Sequence, residues 1–119
     1  MPGMQKKVFD QPDETRRFEH GHIDLVTLPR ATIGRAVFEP GWRWSTDVKP
    51  IAGTDSCQAN HVLFCISGRM GVAMNDGSEA EIGPGDVVAI APGHDAWVVG
   101  NEPYVAVDVV ADDKWAKPA

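Results

Sequence analysis

Short apolar runs, each broken within eight residues or so by glycine, proline or aspartate, fill most of this chain. Residues 22–28 (HIDLVTL) read as a strand that stops at Pro29, and residues 31–38 (ATIGRAVF) as a second that stops at Glu39-Pro40-Gly41. Residues 61–67 (HVLFCIS) end at Gly68, and residues 70–75 (MGVAMN) run into Asp76-Gly77, a pair suited to a tight hairpin because both residues tolerate positive φ. Residues 78–82 alternate polar and apolar, Gly83-Pro84-Gly85 turns the chain, and residues 86–91, 95–99 and 104–110 complete the series. About eight strands at a spacing of roughly 8–12 residues predict a sandwich or a closed barrel. After residue 20 no segment keeps a helical period. Before it, residues 12–19 suit a short helix, with Pro12 at the start and Asp13 and Glu14 in the first turn.

No internal repeat or long linker divides the chain. The predicted organisation is an N-terminal arm with a helical turn (1–20), an all-β barrel (21–111) and a polar tail (112–119) in which Trp115 is the candidate for docking. A length of 119 residues suits one domain, and 43% hydrophobic residues suffice for a packed core.

Charge and cysteine content narrow the partners. The net charge is −6, and Arg16, Arg17, Arg30, Arg35, Arg43 and Arg69 are scattered rather than clustered, so nucleic acid is not expected as a partner. No apolar run approaches a membrane span. Lys6 and Lys7 have no apolar segment behind them, so no secretory signal is read and a cytoplasmic location is expected. The two cysteines, Cys57 and Cys65, form no CxxC and no disulfide framework; whether they pair with each other depends on geometry.

Residues 42–110 resemble the cupin family. The resemblance is clearest in Gly85-Asp86, four apolar residues, Ala91-Pro92-Gly93-His94, and then Trp97 and Asn101. Gly68 matches the glycine that closes the family's first motif. The resemblance implies a double-stranded β-helix (jelly-roll) barrel, a small-molecule pocket, a metal site and a homodimer. Counting back from Gly68, the family's usual ligand positions fall on Asp55, Cys57 and His61, and the ligand of the second motif falls on Ala96, two residues after His94. Every usual ligand position is therefore changed. The chain is similar to a subgroup of short cupins with a Cys-x3-His segment and a Pro-Gly-His-Asp-Ala-Trp segment.

Cys57, His61 and His94 nevertheless suit zinc, iron, nickel or copper, and Asp55 shares strand parity with Cys57 and His61 as a further oxygen donor. Three protein ligands and an open position would make a catalytic metal site. The implied reactions are dioxygenation, isomerisation, decarboxylation or lyase chemistry, with His61 or His94, where unligated, as general base. Other readings stay open: both histidines as hydrogen-bonded structural groups, Cys57 as a small apolar residue, or Cys57 as a thiolate activated by His61. A non-catalytic binding or sensor module is the rival function. Trp42 and Trp44 are read as a pocket wall or as a plug, with Ala96 leaving space beside them and Trp97 facing away. Cys65 belongs to the core. His20 and His22 read as a solvated pair, and Arg35 and Arg43 as surface residues.

Overall fold

The computed structural model describes residues 3–109 and 115–117. Among these residues nine strands and two short helices follow one another as β1 (Glu14–Phe18), β2 (Gly21–Leu28), β3 (Ala31–Phe38), α1 (Trp44–Asp47), α2 (Lys49–Ala52), β4 (His61–Ser67), β5 (Arg69–Met74), β6 (Glu79–Ile82), β7 (Val87–Ile90), β8 (His94–Val99) and β9 (Tyr104–Asp108). They form a six-stranded sheet in the order β1-β2-β3-β9-β4-β7 and a three-stranded sheet in the order β6-β5-β8. All pairings are antiparallel. The strands predicted from the apolar runs are all present, with ends moved by one or two residues.

The core lies between the sheets. Ile23, Leu25, Ala36, Phe38, Leu63, Cys65 and Ala106 from the larger sheet meet Met70, Val72, Ile82 and Ala96 from the smaller one. Period-two alternation puts Tyr104, Ala106 and Asp108 of β9 inside, with Val105 and Val107 less buried between them. Phe38 and Trp42 stack with centroids 3.9 Å apart, and Trp115 docks on the barrel by meeting Phe18 edge-on at 5.4 Å. The boundary placed at residue 112 lies outside the described residues.

Three expectations change. Residues 12–19 are not a helix: Glu14–Phe18 pairs with β2 from Glu14↔Leu25 to Phe18↔Gly21. An acidic first turn contributes little to so short a helix, whereas strand pairing satisfies the backbone and lets Phe18 pack on Phe38 and Trp42. Two helices do occur after residue 20, α1 and α2, each of four residues and too short to show a period. At Asp76-Gly77 only Gly77 has positive φ, at 94°. Ser78 N–H bonds the Asp76 carboxylate at 2.9 Å and Gly77 N–H bonds Met74 O at 3.0 Å, giving a longer loop than a two-residue hairpin.

Gly68 shows why its position demands glycine. It joins β4 to β5 at φ 75°, and a Cβ there would run into Pro103 O and the Tyr104 backbone.

Candidate metal centre and its cavity

Cys57, His61 and His94 come together from separate segments. His94 opens β8, and the strand before it turns back at Pro92-Gly93, where Gly93 has φ 95°. Cys57 lies ahead of β4 and is tied to His94 by an isolated bridge, with Cys57 N–H bonded to His94 O and Gly93 N–H to Cys57 O, each at 2.7 Å. His61 opens β4. One ligand atom from each of the three residues lies within 4.8 Å of the others.

The orientation of both imidazoles is set from behind. His61 Nδ1 is 2.7 Å from Asp108 Oδ2 and its Nε2 is 3.7 Å from Cys57 Sγ. His94 Nδ1–H donates to the Ala91 carbonyl at 2.8 Å, which leaves Nε2 as the nitrogen that meets Cys57. Metal-binding histidines usually have this arrangement, one nitrogen held by a carboxylate or carbonyl and the other free for the ion. With metal–ligand bonds of about 2.0–2.3 Å, ligand atoms around a tetrahedral ion lie about 3.3–3.8 Å apart. The Cys57–His61 pair already meets that spacing at 3.7 Å. The donor set of one sulfur and two imidazole nitrogens therefore fits a borderline transition metal.

The electrostatics support the same chemistry. Burial by itself would raise the Cys57 thiol, but hydrogen bonds with His61 and His94 outweigh it and bring it from 9.0 down to about 6. Burial by itself would lower His61, but the Asp108 and Cys57 hydrogen bonds outweigh it and push it from 6.5 up to about 9. At neutral pH the pair is thus thiolate and imidazolium. A metal would find its sulfur ligand already ionised and would displace one proton from His61.

Asp55, expected as an oxygen ligand, is not part of this centre. Its side chain is fully exposed and faces Lys49 at 3.8 Å. Strand parity does not apply to it, because residues 55–60 form no strand beyond the Cys57 bridge. Asp108 is the residue the sequence reading overlooked. The available signal was a carboxylate ending the run YVAVD on the same parity as buried Tyr104 and Ala106.

The cluster opens onto a cavity with about 650 Å³ of space unfilled by atoms, its mouth included. Trp42, Trp44 and Ala96 line it, together with Phe38, Tyr104 and Trp115. Trp42 lies just ahead of α1 and Trp44 begins it. Trp97 points away and lies under the Arg43 guanidinium at 4.9 Å, while Arg43 also meets Asp95 at 3.5 Å. Arg35 pairs with Asp24 at 3.0 Å. His20 and His22 stand apart, beside Asp47 and Asp24 respectively. Cys57 and Cys65 are both free and buried, so they form no disulfide.

No protein-family model matches the chain, and no curated protein matches it significantly. Solved structures do. A structural-genomics protein of unknown function from Rhizobium leguminosarum superposes with TM-score 0.62 at 19% identity, over 92% of this chain and 98% of that one. A cupin-like protein from Thermotoga maritima gives TM-score 0.58 at 16% identity, over 92% and 84%. An oxalate decarboxylase from Lactobacillus farciminis gives 0.59 at 16% identity, over 81% of this chain and 30% of that one, so this chain spans under a third of that enzyme's length.

Proposed function

We propose that this chain, a cupin by fold, binds a divalent transition metal through Cys57, His61 and His94 and acts on a small organic molecule in the adjoining cavity. Zinc, iron, nickel and copper all suit the donors. The observation that carries the reading is the pair of occupied Nδ1 atoms, on Asp108 and on Ala91 O, beside a cluster in which one ligand atom from each of Cys57, His61 and His94 lies within 4.8 Å of the others. When bound, the metal supplies Lewis-acid polarisation of a substrate oxygen or activation of water or dioxygen. The chain's own contributions are separate. Asp108 orients His61 and holds its Nδ1 proton, the Ala91 carbonyl fixes the His94 tautomer, and the aromatic wall excludes water. Where His61 or His94 is left unligated, its Nε2 serves as general base instead. The reactions implied by the family resemblance are dioxygenation, isomerisation, decarboxylation and lyase chemistry.

Metal analysis of protein purified without a histidine tag tests this. Stoichiometric metal that is lost in Cys57→Ser and His61→Ala supports it. Folded wild-type protein that takes up none of the four metals on reconstitution sinks it.

One observation favours a second reading. Cys57 Sγ meets His61 Nε2 at 3.7 Å and His61 Nδ1 meets Asp108 Oδ2 at 2.7 Å, the order of nucleophile, base and orienting acid. Metal-free protein in which iodoacetamide alkylates Cys57 much faster than Cys65, and in which Asp108→Asn slows that reaction, would support it. A binding or sensor module without turnover is the remaining alternative, marked by tight ligand binding with no product.

We also propose a homodimer. Phe64, Ile66, Val87 and Val109 are exposed, and Phe64 faces Val87 across the outer surface of β4 and β7, the latter at the sheet edge. An apolar patch beside an open edge favours a second copy over water. The free thiols of Cys57 and Cys65 support a reducing compartment such as the cytoplasm. No helix among the described residues is long and apolar enough to cross a membrane.

A further inference from the structure

We infer that the cavity takes an uncharged, planar aromatic or conjugated molecule that carries carbonyl or hydroxyl oxygens. The inference rests on the cavity being the substrate site, as proposed above, but not on the metal.

Unsatisfied donors come first. Trp42 Nε1, Trp44 Nε1, Trp115 Nε1 and Tyr104 Oη are buried and have no hydrogen-bond partner among the described residues. All four belong to residues that line this one cavity. Trp42, Trp44 and Tyr104 are each no more than 2% exposed. Buried polar groups are nearly always paired, so four orphans around one space point to a ligand that completes them. An indole N–H only donates. Burial pushes the Tyr104 phenol well up, so it too stays protonated and able to donate. The missing partner must therefore supply acceptors. The wall's own acceptors are committed, Asp108 to His61 and the Ala91 carbonyl to His94.

Charge is the second argument. Among the described residues no lysine or arginine lines the cavity. His61 is already engaged on both nitrogens, by Asp108 and Cys57, so a free anion would enter the aromatic cavity without an uncommitted counter-charge. An uncharged molecule with oxygen acceptors avoids that cost.

Shape is the third. Trp42 lies 8° from parallel to Phe38, which lies 20° from parallel to Tyr104. Three nearly parallel rings make a layered wall, and a flat ligand extends such a wall with offset stacking.

The test uses acetophenone as probe, with ethylbenzene (same shape, no oxygen), cyclohexyl methyl ketone (same carbonyl, not planar) and benzoate (charged) as controls. Binding is followed by quenching of tryptophan fluorescence, in metal-free and metal-loaded protein. Acetophenone is expected to bind at least tenfold more tightly than each control. Tyr104→Phe and Trp115→Phe, each removing a donor while keeping a ring, should narrow the acetophenone-to-ethylbenzene ratio severalfold. The inference is overturned if ethylbenzene matches acetophenone, if benzoate or the non-planar ketone binds best, if none of the four quenches, or if neither variant moves the ratio. Selectivity that persists in protein taking up no metal supports this inference while the metal reading fails. Metal uptake without selectivity overturns this inference alone.

Discussion

Replacing Asp108 by asparagine tests how the centre is held together. Asn keeps the size and an acceptor oxygen, so the ladder of β9 with β3 and β4 should survive; what goes is the negative charge 2.7 Å from His61 Nδ1. That charge makes His61 a stronger ligand, and losing such a supporting carboxylate typically costs about 10–100-fold in metal affinity, or about 1.4–2.7 kcal/mol. The same charge also strengthens the proton that competes with the metal. With His61 near 9 in the wild type, proton competition at pH 7 weakens metal binding by about 100-fold, one decade per pH unit. In Asp108→Asn the His61 pKa falls and this competition shrinks. The loss of affinity should therefore be large at pH 9.5, where the wild-type proton has left, and smaller at pH 7, where the two effects oppose each other. Chelator competition at both pH values, with circular dichroism to check the fold, measures this. Equal affinity for wild type and variant at both pH values, or a larger loss at pH 7 than at 9.5, would refute the reasoning.

Other expectations follow from the same structure. In metal-free protein, Cys57 is lowered on folding to about 6, so its contribution is complete above about 9 and is lost as pH falls towards 6. His61 is raised to about 9, so its contribution is complete below about 6.5 and is lost as pH rises towards 9. The opposite slopes cancel, and urea denaturation should give nearly constant stability from pH 6.5 to 9; a slope near 1.4 kcal/mol per pH unit would mean that only one of the two groups is shifted. Gly68→Ala forces a Cβ into Pro103 and Tyr104 at φ 75° and should destabilise the barrel by about 3 kcal/mol or more, read as a lowered urea midpoint; an unchanged midpoint would contradict the geometry. Val87→Lys on the exposed edge should shift wild-type dimer to monomer in sedimentation velocity with secondary structure intact, and a wild-type monomer would dismiss the dimer.

Much of the barrel was legible in the chain because its signals are local. Gly68, Gly77 and Gly93 adopt the positive φ that turns need, and the apolar runs between them became strands. The N-terminal segment misled because Pro12, Asp13 and Glu14 mark a helix start only if nothing else claims the backbone, and the β2 edge claimed it. Cys57, His61 and His94 were identifiable by residue type and motif position. Asp55 was wrongly added because parity was extended across a stretch that is not a strand.

The order of turns and strands, the residues able to bind a metal and the tryptophans of the cavity wall are properties of the sequence, since each depends on residue chemistry and near neighbours. The centre itself is a product of tertiary structure. Asp108 meets His61 across 47 positions, and His94 meets Cys57 through a bridge between segments that no local rule pairs. Those contacts set which nitrogen of each imidazole is free and move the Cys57 and His61 protons, because the fields and hydrogen bonds that do so act through space over a few ångströms.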